Sequence, residues 1–398
     1  MLLCWSRRDT YALGFGPFPV ILSINLFLWF VADWFFLQFA LIALGFAVKE
    51  LIQWNKQGRQ VHIFNPSSFP LAVFSLALIL TGTSDLTWGQ DIAITQFFPP
   101  HVYLVLFLIG LPGQYLFGVA SMTMSAVIAT YAFGLLYFAA TGVYFFYDSY
   151  IPVAVFLGMH LLFTDPSTAP RSEVARIMFG VLYGLSTVAL YALLGYAGVP
   201  TFYDKLLFVP VLNLSVQLLD RLTLARWLRQ FERVAFGRSR SQRQRNLAYI
   251  VVWAAVFSVM SAVQGVGDRH PGQWVPFWQE ACSQGRTYAC SYLADMQETY
   301  CRSGSGWACN EAGILHIALA RSGTDRRRLN AADAAETLGR GCDLDFGPAC
   351  QNVERLASGF NSFEHGQPTL QDYPIILRGT KGPITDRSPA ALYARACN

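Results

Sequence analysis

Long apolar stretches follow one another through the first two thirds of this chain, and they constrain its fold more than any other feature. A helix needs roughly 20 apolar residues to cross the hydrocarbon core of a membrane, and several stretches reach or approach that length. The composition agrees, because 54% of the residues are hydrophobic and only 14% are charged, which is atypical of soluble domains. We therefore predict an all-α membrane bundle with about nine transmembrane helices. The predicted spans lie near residues 15–32, 34–53, 70–84, 101–119, 124–146, 150–164, 177–198, 206–220 and 247–265.

Basic residues predict the orientation of this bundle, because Lys and Arg in short loops stay on the cytoplasmic side. Four basic groups fall on one side if nine helices alternate, namely residues 7–8, 49–59, 171–176 and 221–245. We predict a multi-pass protein of a plasma membrane, with its N-terminus in the cytoplasm and its C-terminal domain outside. No Lys or Arg occurs between Arg59 and Arg171, so the charges do not define the topology there. A cleaved signal peptide is the weaker interpretation, because no small-residue cleavage site follows the first apolar run.

A basic segment, residues 221–246, alternates apolar residues with arginine at helical spacing. This pattern is typical of an amphipathic helix that lies on anionic lipid. Nucleic-acid binding is the disfavoured alternative, because membrane topology already accounts for the charges. The arginines predicted to contact lipid are Arg221, Arg226, Arg229, Arg233, Arg238, Arg240, Arg243 and Arg245.

Six cysteines occur in three near-copies of one frame, CSQGRTYAC, CRSGSGWAC and CDLDFGPAC. Zinc sites favour two to four residues between paired cysteines, so seven intervening residues fit a disulfide between consecutive helices better. Each such disulfide would contribute about 2.5 kcal/mol by constraining the unfolded chain. Disulfides persist in oxidising compartments, which agrees with an extracytoplasmic domain. The predicted pairs are Cys282 with Cys290, Cys301 with Cys309, and Cys342 with Cys350.

These frames resemble the cysteine-rich Sel1-like repeats, which are α/α solenoids related to tetratricopeptide repeats. The resemblance covers residues 277–356, and it implies a domain that docks an exported protein partner. The first two frames begin 19 residues apart and the third begins 41 residues later, whereas a regular repeat would be about 36 residues. A domain that is only a stapled cap is the alternative.

A second repeated feature is a proline motif, IFNPSSFP at residues 63–70 and FTDPSTAP at residues 163–170. Each motif combines the features of a helix N-terminus, with Asn65 or Asp165 as N-cap and a proline in the first turn. Duplicated interrupted segments in a membrane bundle indicate a central site, so we predict that the two motifs converge. The alternative is that both are ordinary caps at the cytoplasmic surface. The predicted site residues are Asn65, Pro66, Ser67, Thr164, Asp165, Pro166, Ser167 and Thr168.

An inverted repeat would require one of the intervening helices to be broken, and Pro112 with Gly113 marks the expected break. Asp165 would be costly to bury in a membrane and would then need a counter-charge. Arg171 and Arg176 are the predicted candidates.

The two motifs, HIFNPSSF and LLFTDPSTAP, are similar to those of the RnfD/NqrB family, the flavin-bearing membrane subunits of ion-translocating redox complexes. The resemblance covers residues 15–220, and it implies a pseudo-symmetric bundle with helices broken at the motifs. It also implies electron transfer in a bacterial inner membrane, in contact with other subunits of a complex. Asn65, Pro66, Thr164, Asp165 and Pro166 match the motif positions of the family.

One departure from the family concerns its cofactor. Members carry a Ser/Thr-Gly-Ala-Thr stretch that attaches FMN covalently, and the nearest sequence here is ASMTMSAV around Thr123. This argues against covalent FMN and leaves a noncovalent flavin open. Haem is disfavoured, because His62, His101 and His160 show no repeated spacing of ligands. No sequence pattern predicts a metal site or a set of catalytic residues.

The sequence thus predicts six segments: a bundle (1–220), the basic segment (221–246), a final membrane helix (247–265), a linker (266–276), the Sel1-like repeats (277–356) and a polar tail (357–398). The leading functional hypothesis is a subunit of a membrane redox complex that anchors it or conducts electrons or ions. Two alternatives are a channel or carrier for a small solute and a structural subunit without chemistry of its own.

Overall fold

The computed structural model describes residues 17–56, 58–89, 102–146, 149–223, 225, 228, 230, 241–262, 270, 272, 275–286, 288–322 and 331–379. The described chain is mostly helical and forms two compact units. Unit 1 comprises Met1–Phe133 with Ile151–Val263, and unit 2 comprises Gly134–Tyr150 with Gln264–Asn398.

The described helices of unit 1 are α1 (Pro17–Phe27), α2 (Phe36–Leu51), α3 (Ser68–Thr81), α4 (Val102–Phe117), α5 (Ala120–Thr141, which continues into unit 2), α6 (Val153–Leu161), α7 (Glu173–Tyr196), α8 (Asp204–Leu207), α9 (Val209–Leu222) and α10 (Gln242–Ala262). Three short 3-10 turns lie at Ala32–Trp34, Ser84–Leu86 and Thr201–Tyr203. Four helical segments in the described chain are long and apolar enough to cross a membrane: Ala120–Thr141, Glu173–Tyr196, Thr201–Leu222 and Gln242–Ala262.

The other predicted spans form shorter helices than expected. Helix α3 has 14 residues and α6 has nine, so they extend for about 21 Å and about 14 Å, against a hydrocarbon core of about 30 Å. Residues 153–160 of α6 are all buried. The predicted span at 150–164 is therefore a short helix that is covered by protein and followed by a turn.

The expected break at Pro112 does not occur, because α4 continues through Pro112 to Phe117. The chain turns instead at Gly118, whose φ of 66° lies in the left-handed region that glycine adopts readily.

An antiparallel hairpin departs from the all-α prediction. Strands β1 (Gln53–Lys56) and β2 (Arg59–His62) pair with Gln53 opposite His62. Gly58 permits the tight turn, since its φ is +81° and its N–H donates to Asn55 Oδ1 at 2.7 Å. The hairpin brings the chain from the end of α2 to the first motif.

Helices α5 and α7 approach each other closely at two glycines. A Cβ on Gly180 would lie 2.3 Å from the Met122 carbonyl oxygen, and a Cβ on Gly184 would lie 2.6 Å from that of Ala126. Small residues spaced four apart let helix backbones meet in membrane bundles. This contact holds two of the four candidate spans together.

The described helices of unit 2 beyond α5 are α11 (Val275–Ser283), α12 (Ala289–Arg302), α13 (Gly306–Ser322), α14 (Ala331–Asp343), α15 (Gly347–Ala357) and α16 (Tyr373–Gly379). Each helix from α11 to α15 packs against the next one. Three disulfides confirm the predicted cysteine pairs, Cys282–Cys290, Cys301–Cys309 and Cys342–Cys350, each with Cα atoms 4.6 Å apart. They join α11 to α12, α12 to α13 and α14 to α15.

The three cysteine frames share one backbone geometry. The fourth residue of each frame has positive φ, at Gly285, Gly304 and Asp345. The N–H of the next residue donates to a carbonyl five residues earlier, at 3.0 to 3.1 Å in all three frames, which is the Schellman helix ending. The irregular spacing matches the order of the helices, because the first two frames join α11 to α12 and α12 to α13, whereas no frame lies between α13 and α14 in the sequence.

The alanine before the second cysteine of each frame is completely buried, at Ala289, Ala308 and Ala349. These alanines belong to a core that also contains Trp278, Trp307 and Phe346. Ala349 packs against Gly341, because a Cβ added to Gly341 would lie only 2.8 Å from the Cβ of Ala349. A residue larger than alanine at position 349 would therefore clash with the helix that contains Gly341. Close contact between the helices thus explains why a small residue, alanine, precedes the second cysteine of each frame.

Candidate functional site

The two motifs line one cavity of about 360 Å³ in unit 1. Its lining includes four residues of the first motif region and five residues around the second. These are His62, Asn65, Pro66, Ser67, Leu161, Thr164, Asp165, Pro166 and Ser167. Helices α1, α2 and α4 contribute further lining residues, which include Val20, Lys49, Gly110 and Gln114. The volume lies at the small end of the range for ligand sites.

The first motif forms the N-terminus of α3 with Asn65 as its cap. Asn65 Oδ1 accepts hydrogen bonds from the Ser67 N–H at 2.9 Å, the Ser67 hydroxyl at 2.8 Å and the Ser68 N–H at 3.2 Å. The backbone N–H of Asn65 donates to Asn213 Oδ1 on α9 at 3.0 Å. Gly45 of α2 makes room for the turn, since a Cβ there would lie 2.4 Å from the Pro66 oxygen.

The second motif forms a turn, whereas a helix N-terminus was predicted. Asp165 Oδ1 accepts from the Ser167 N–H at 3.0 Å, and the Thr168 N–H donates to the Asp165 carbonyl at 3.2 Å. Helix α7 begins only at Glu173, where the Ser172 hydroxyl accepts from the Ala175 N–H. Proline at position 170 explains the delay, because it disfavours helical conformation in the residue before it.

One hydrogen bond connects the motifs through a carbonyl that proline leaves unpaired. The Leu162 carbonyl would bond the N–H of residue 166 in a continuous helix, but that residue is Pro166 and has no N–H. Asn65 Nδ2 donates to this carbonyl at 2.9 Å, and Asn65 is buried. A buried carbonyl without a partner is costly, so the asparagine of one motif stabilises the break made by the other.

A second contact joins the motifs at His62 and Asp165. His62 Nε2 lies 2.9 Å from Asp165 Oδ2, with 13% and 20% of the two side chains exposed. Burial disfavours the charged form of Asp165, but the hydrogen bond and charge of His62, together with the Ser167 contacts, hold the pKa of this carboxyl below its ordinary value. The predicted counter-charges, Arg171 and Arg176, do not fill this role.

At the buried end of the cavity, His160 of α6 faces Gln114 of α4. His160 is 4% exposed and Gln114 is 1% exposed. His160 Nδ1 lies 2.8 Å from the Phe156 carbonyl oxygen. Within the described chain, His160 Nε2 and both amide atoms of Gln114 have no hydrogen-bonding partner. Buried polar groups normally have partners, but these three atoms have almost no accessible surface, so they do not by themselves mark a ligand contact.

Two other predicted site residues lie outside this lining. Thr168 is buried in the second motif's turn, and Thr123 is completely buried on α5. The Thr123 hydroxyl has no partner in the described structure. His101 lies outside the described residues.

Two of the arginines predicted to contact lipid belong to the first turn of α10. Arg243 is exposed there. Arg245 also contacts protein, because its Nη2 lies 3.8 Å from Oε1 of the buried Glu173. Arg176 Nη1 also bonds Glu173 Oε1, at 3.1 Å. Arg221 is exposed near the end of α9, and Arg226, Arg229, Arg233, Arg238 and Arg240 lie outside the described residues.

Sequence reasoning missed Gln114, Asn213 and Lys49 as parts of this region. Gln114 and Asn213 are amides within apolar stretches, at LPGQYLF and VLNLSV. Polar residues inside membrane segments are expensive and are usually functional, and that signal would have pointed to both amides.

Comparison with protein-family models, with curated proteins and with solved structures finds no match to this chain.

Proposed function

We propose that unit 1 is the membrane subunit of a redox complex and that its cavity between the two motifs binds a small redox-active ligand without a covalent bond. The observation that carries this proposal is the meeting of both proline motifs at one cavity, whose lining includes the buried polar side chains of Asn65, Gln114 and His160. The resemblance of the motifs to those of RnfD/NqrB subunits supplies the redox chemistry, with a noncovalent flavin as the first candidate.

In this proposal the subunit anchors the complex and gives electrons or ions a path across the membrane. The bundle has its N-terminus in the cytoplasm and contacts the lipid bilayer and other subunits. The four candidate spans support a membrane location. The alternation of basic groups along the sequence supports the orientation.

Unit 2 is, in this proposal, an extracytoplasmic stack of Sel1-like repeats that docks an exported protein. Its three disulfides support an oxidising compartment, and its consecutive helix packing supports a solenoid. A membrane-impermeant thiol reagent, applied to intact cells after reduction, should label the four partly exposed cysteines, which are Cys282, Cys290, Cys342 and Cys350. Labelling that requires cell lysis contradicts this orientation.

The redox proposal is tested by the visible absorption spectrum of the protein purified in mild detergent. Flavin bands that bleach on reduction are expected, and fluorescence in a denaturing gel would distinguish a covalent flavin from a bound one. Haem bands, which shift on reduction, would also support a redox ligand. A colourless protein, whose spectrum does not change on reduction, contradicts the proposal.

A carrier or channel for a small solute is the second candidate. Two short helices meet the cavity, α3 with its N-terminus and α6 with its C-terminus. Interrupted helices at a central site are typical of transporters. Solute flux in liposomes without a redox partner would support this function. A colourless protein that conducts nothing would instead be a structural subunit.

A further inference from the structure

An extended segment of unit 2, residues 361–371, runs from the end of α15 to the start of α16, and we call it the strap. It forms neither helix nor strand. Phe363 packs against a small apolar cluster of α13 and α14. Other strap side chains are largely exposed, such as His365 at 69% and Leu370 at 77%. The strap therefore buries little apolar surface, and its attachment must depend on other contacts.

The backbone of Glu364, in the middle of the strap, is bonded by two asparagines. Asn352 of α15 accepts from the Glu364 N–H at 2.8 Å and donates to the Glu364 carbonyl at 2.8 Å. Asn310 of α13 donates to the same carbonyl at 3.0 Å. Asn352 Nδ2 also donates to Asn310 Oδ1 at 2.8 Å, which fixes the orientation of both amides.

Gly366, two residues further along, is bonded in the same way by α13. Glu311 Oε1 accepts from the Gly366 N–H at 3.2 Å, and Trp307 Nε1 donates to the Gly366 carbonyl at 2.9 Å. Alternate residues of the strap thus have both backbone groups paired, as in the pairing of an extended strand. Here side chains of two helices take the place of a neighbouring strand.

The side chains that hold this backbone are themselves buried. Asn310 and Asn352 are 0% exposed, and Glu311 is 9% exposed. Buried polar groups need hydrogen-bonding partners, and the strap's backbone supplies them. Because the bonds go to main-chain atoms, another extended segment can make the same bonds. The surface of α13 and α15 is therefore a recognition site for extended peptide.

Glycine is required at one position of that peptide. A Cβ on Gly366 would lie 2.4 Å from Phe346 Cζ and 3.3 Å from Pro348 Cγ. The Phe346 ring belongs to the buried core of unit 2 and has little room to move. Any larger residue at this position would push the peptide off the two helices.

The two residues before the glycine also make polar contacts. Glu364 Oε2 accepts from Arg355 Nη2 at 3.1 Å. His365 Nδ1 lies 2.7 Å from Oε2 of Glu311, and a carboxylate oxygen accepts a hydrogen bond from a donor at this position. The site therefore favours a carboxylate, then a donor side chain, then glycine.

We propose that the strap is autoinhibitory: it covers a site for an extended segment of a protein partner, and that segment has the carboxylate, donor and glycine order of the strap. The strap is able to leave while unit 2 stays folded, because Asp372 beyond it is buried and accepts from the Ser305 hydroxyl at 2.6 Å. The inference rests on the proposed function for the existence of an exported partner, and it specifies the chemistry of that partner.

The test is the binding of a labelled synthetic peptide, GFNSFEHGQPTLQ (residues 359–371), to the full-length protein in mild detergent, followed by fluorescence anisotropy. In the parent protein the strap competes at an effective concentration of about 1 mM. Gly366→Val removes this competition, so it should bind the peptide at least about tenfold more tightly than the parent protein. A peptide with valine in place of its second glycine should bind neither protein.

Two further variants complete the test. Gln367→Val is the matched control, because it places the same side chain at the exposed neighbouring position, and it should bind the peptide no better than the parent protein. The double variant Glu364→Ala with His365→Ala changes only partly buried or exposed strap residues. It leaves α13 and α15 intact and should raise peptide affinity at least about threefold, since two side-chain contacts of the strap are lost.

Hydrogen exchange provides a readout that needs no peptide. The amides of Glu364 and Gly366 should exchange slowly in the parent protein and in Gln367→Val, because both N–H groups are bonded. They should exchange fast in Gly366→Val, while the amides within α13 and α15 stay protected.

Three results would overturn the inference: equal peptide affinity in the parent protein and Gly366→Val, tight binding of the valine peptide, or a dimer of the parent protein that the peptide dissociates. The last result would assign the site to a second copy of the chain. Failure of the docking proposal is distinguishable. Peptide binding by Gly366→Val, with cysteines that are labelled only after lysis, leaves this site standing without extracytoplasmic docking. The reverse pair of results leaves the docking standing without this site.

Discussion

Replacing Asn65 by alanine removes the side chain that links the two proline motifs. The side chain makes four hydrogen bonds, three at the start of α3 and one to the Leu162 carbonyl. At about 0.6 kcal/mol each, the average measured within membrane bundles, they amount to about 2.4 kcal/mol. The Leu162 carbonyl would then lose its partner while buried, which costs about 1 to 3 kcal/mol more if no water replaces it. We expect Asn65→Ala to lower the free energy of unfolding by about 2 to 5 kcal/mol.

The assay is titration with SDS in mixed micelles, with helix content followed by circular dichroism. Asn65→Asp isolates the contact between the motifs, because a carboxylate keeps the accepting bonds at α3 but cannot donate to Leu162. It should cost at least about 1 kcal/mol. Ser75→Ala on the same helix is the control, since Ser75 is fully buried and its hydroxyl has no partner in the described structure.

Ser75→Ala should stay within about 0.5 kcal/mol of the parent protein. The reasoning is refuted if Asn65→Ala is as stable as Ser75→Ala. It is also refuted if Asn65→Asp unfolds with the same free energy as the parent protein, because the bond between the motifs would then contribute nothing.

Three further changes test other parts of the structure in the same unfolding assay. Because the folded pKa of Asp165 is lowered, its carboxylate stabilises the fold above the unfolded pKa of about 4 and loses that effect as the pH falls through the folded pKa. Asp165→Asn should thus be less stable than the parent protein at pH 7. The difference should shrink as the pH falls below about 4 and vanish once the pH is below the folded pKa; a constant difference contradicts this. Replacing both Cys301 and Cys309 by alanine should destabilise unit 2 by about 2.5 kcal/mol, and an unchanged stability after this replacement would show that the disulfide constrains nothing. Gly180→Ala should cost about 2 kcal/mol by forcing α5 and α7 apart, whereas Gly113→Ala, where a Cβ meets nothing within 4 Å, should not.

The sequence was most informative where one short pattern determines local geometry. The cysteine frames predicted three disulfides between consecutive helices, because a fixed spacing, a turn residue and a small buried residue recur together. The first motif predicted a helix N-terminus for a similar reason, since Asn65 can cap the turn without help from distant residues. The positive φ of Asp345 was less obvious, because only its alignment with Gly285 and Gly304 reveals it.

Predictions failed where distant residues decide the outcome. An apolar run indicates burial but does not distinguish lipid from protein, so the sequence predicts a membrane span where α6 has residues 153–160 buried in protein. The charge partner of Asp165 is His62, which is 103 positions away, whereas the nearby Arg176 pairs with Glu173. Gln114 lies beside His160 only because Gly110 leaves room for the ring. Neither the His62–Asp165 pair nor the Gln114–His160 pair has a signature in the neighbouring sequence.

Native mass spectrometry of the protein purified in mild detergent tests most directly whether the junction of the two motifs is a ligand site. The account predicts the chain with one noncovalently bound small molecule, which is retained by Thr123→Val and lost from Gly113→Trp. Gly113 lines the cavity, and an added Cβ there meets nothing within 4 Å, so a large side chain has room to occupy the site. The bare mass of the chain in all three preparations would contradict the account, as would a bound molecule that survives the Gly113 substitution unchanged.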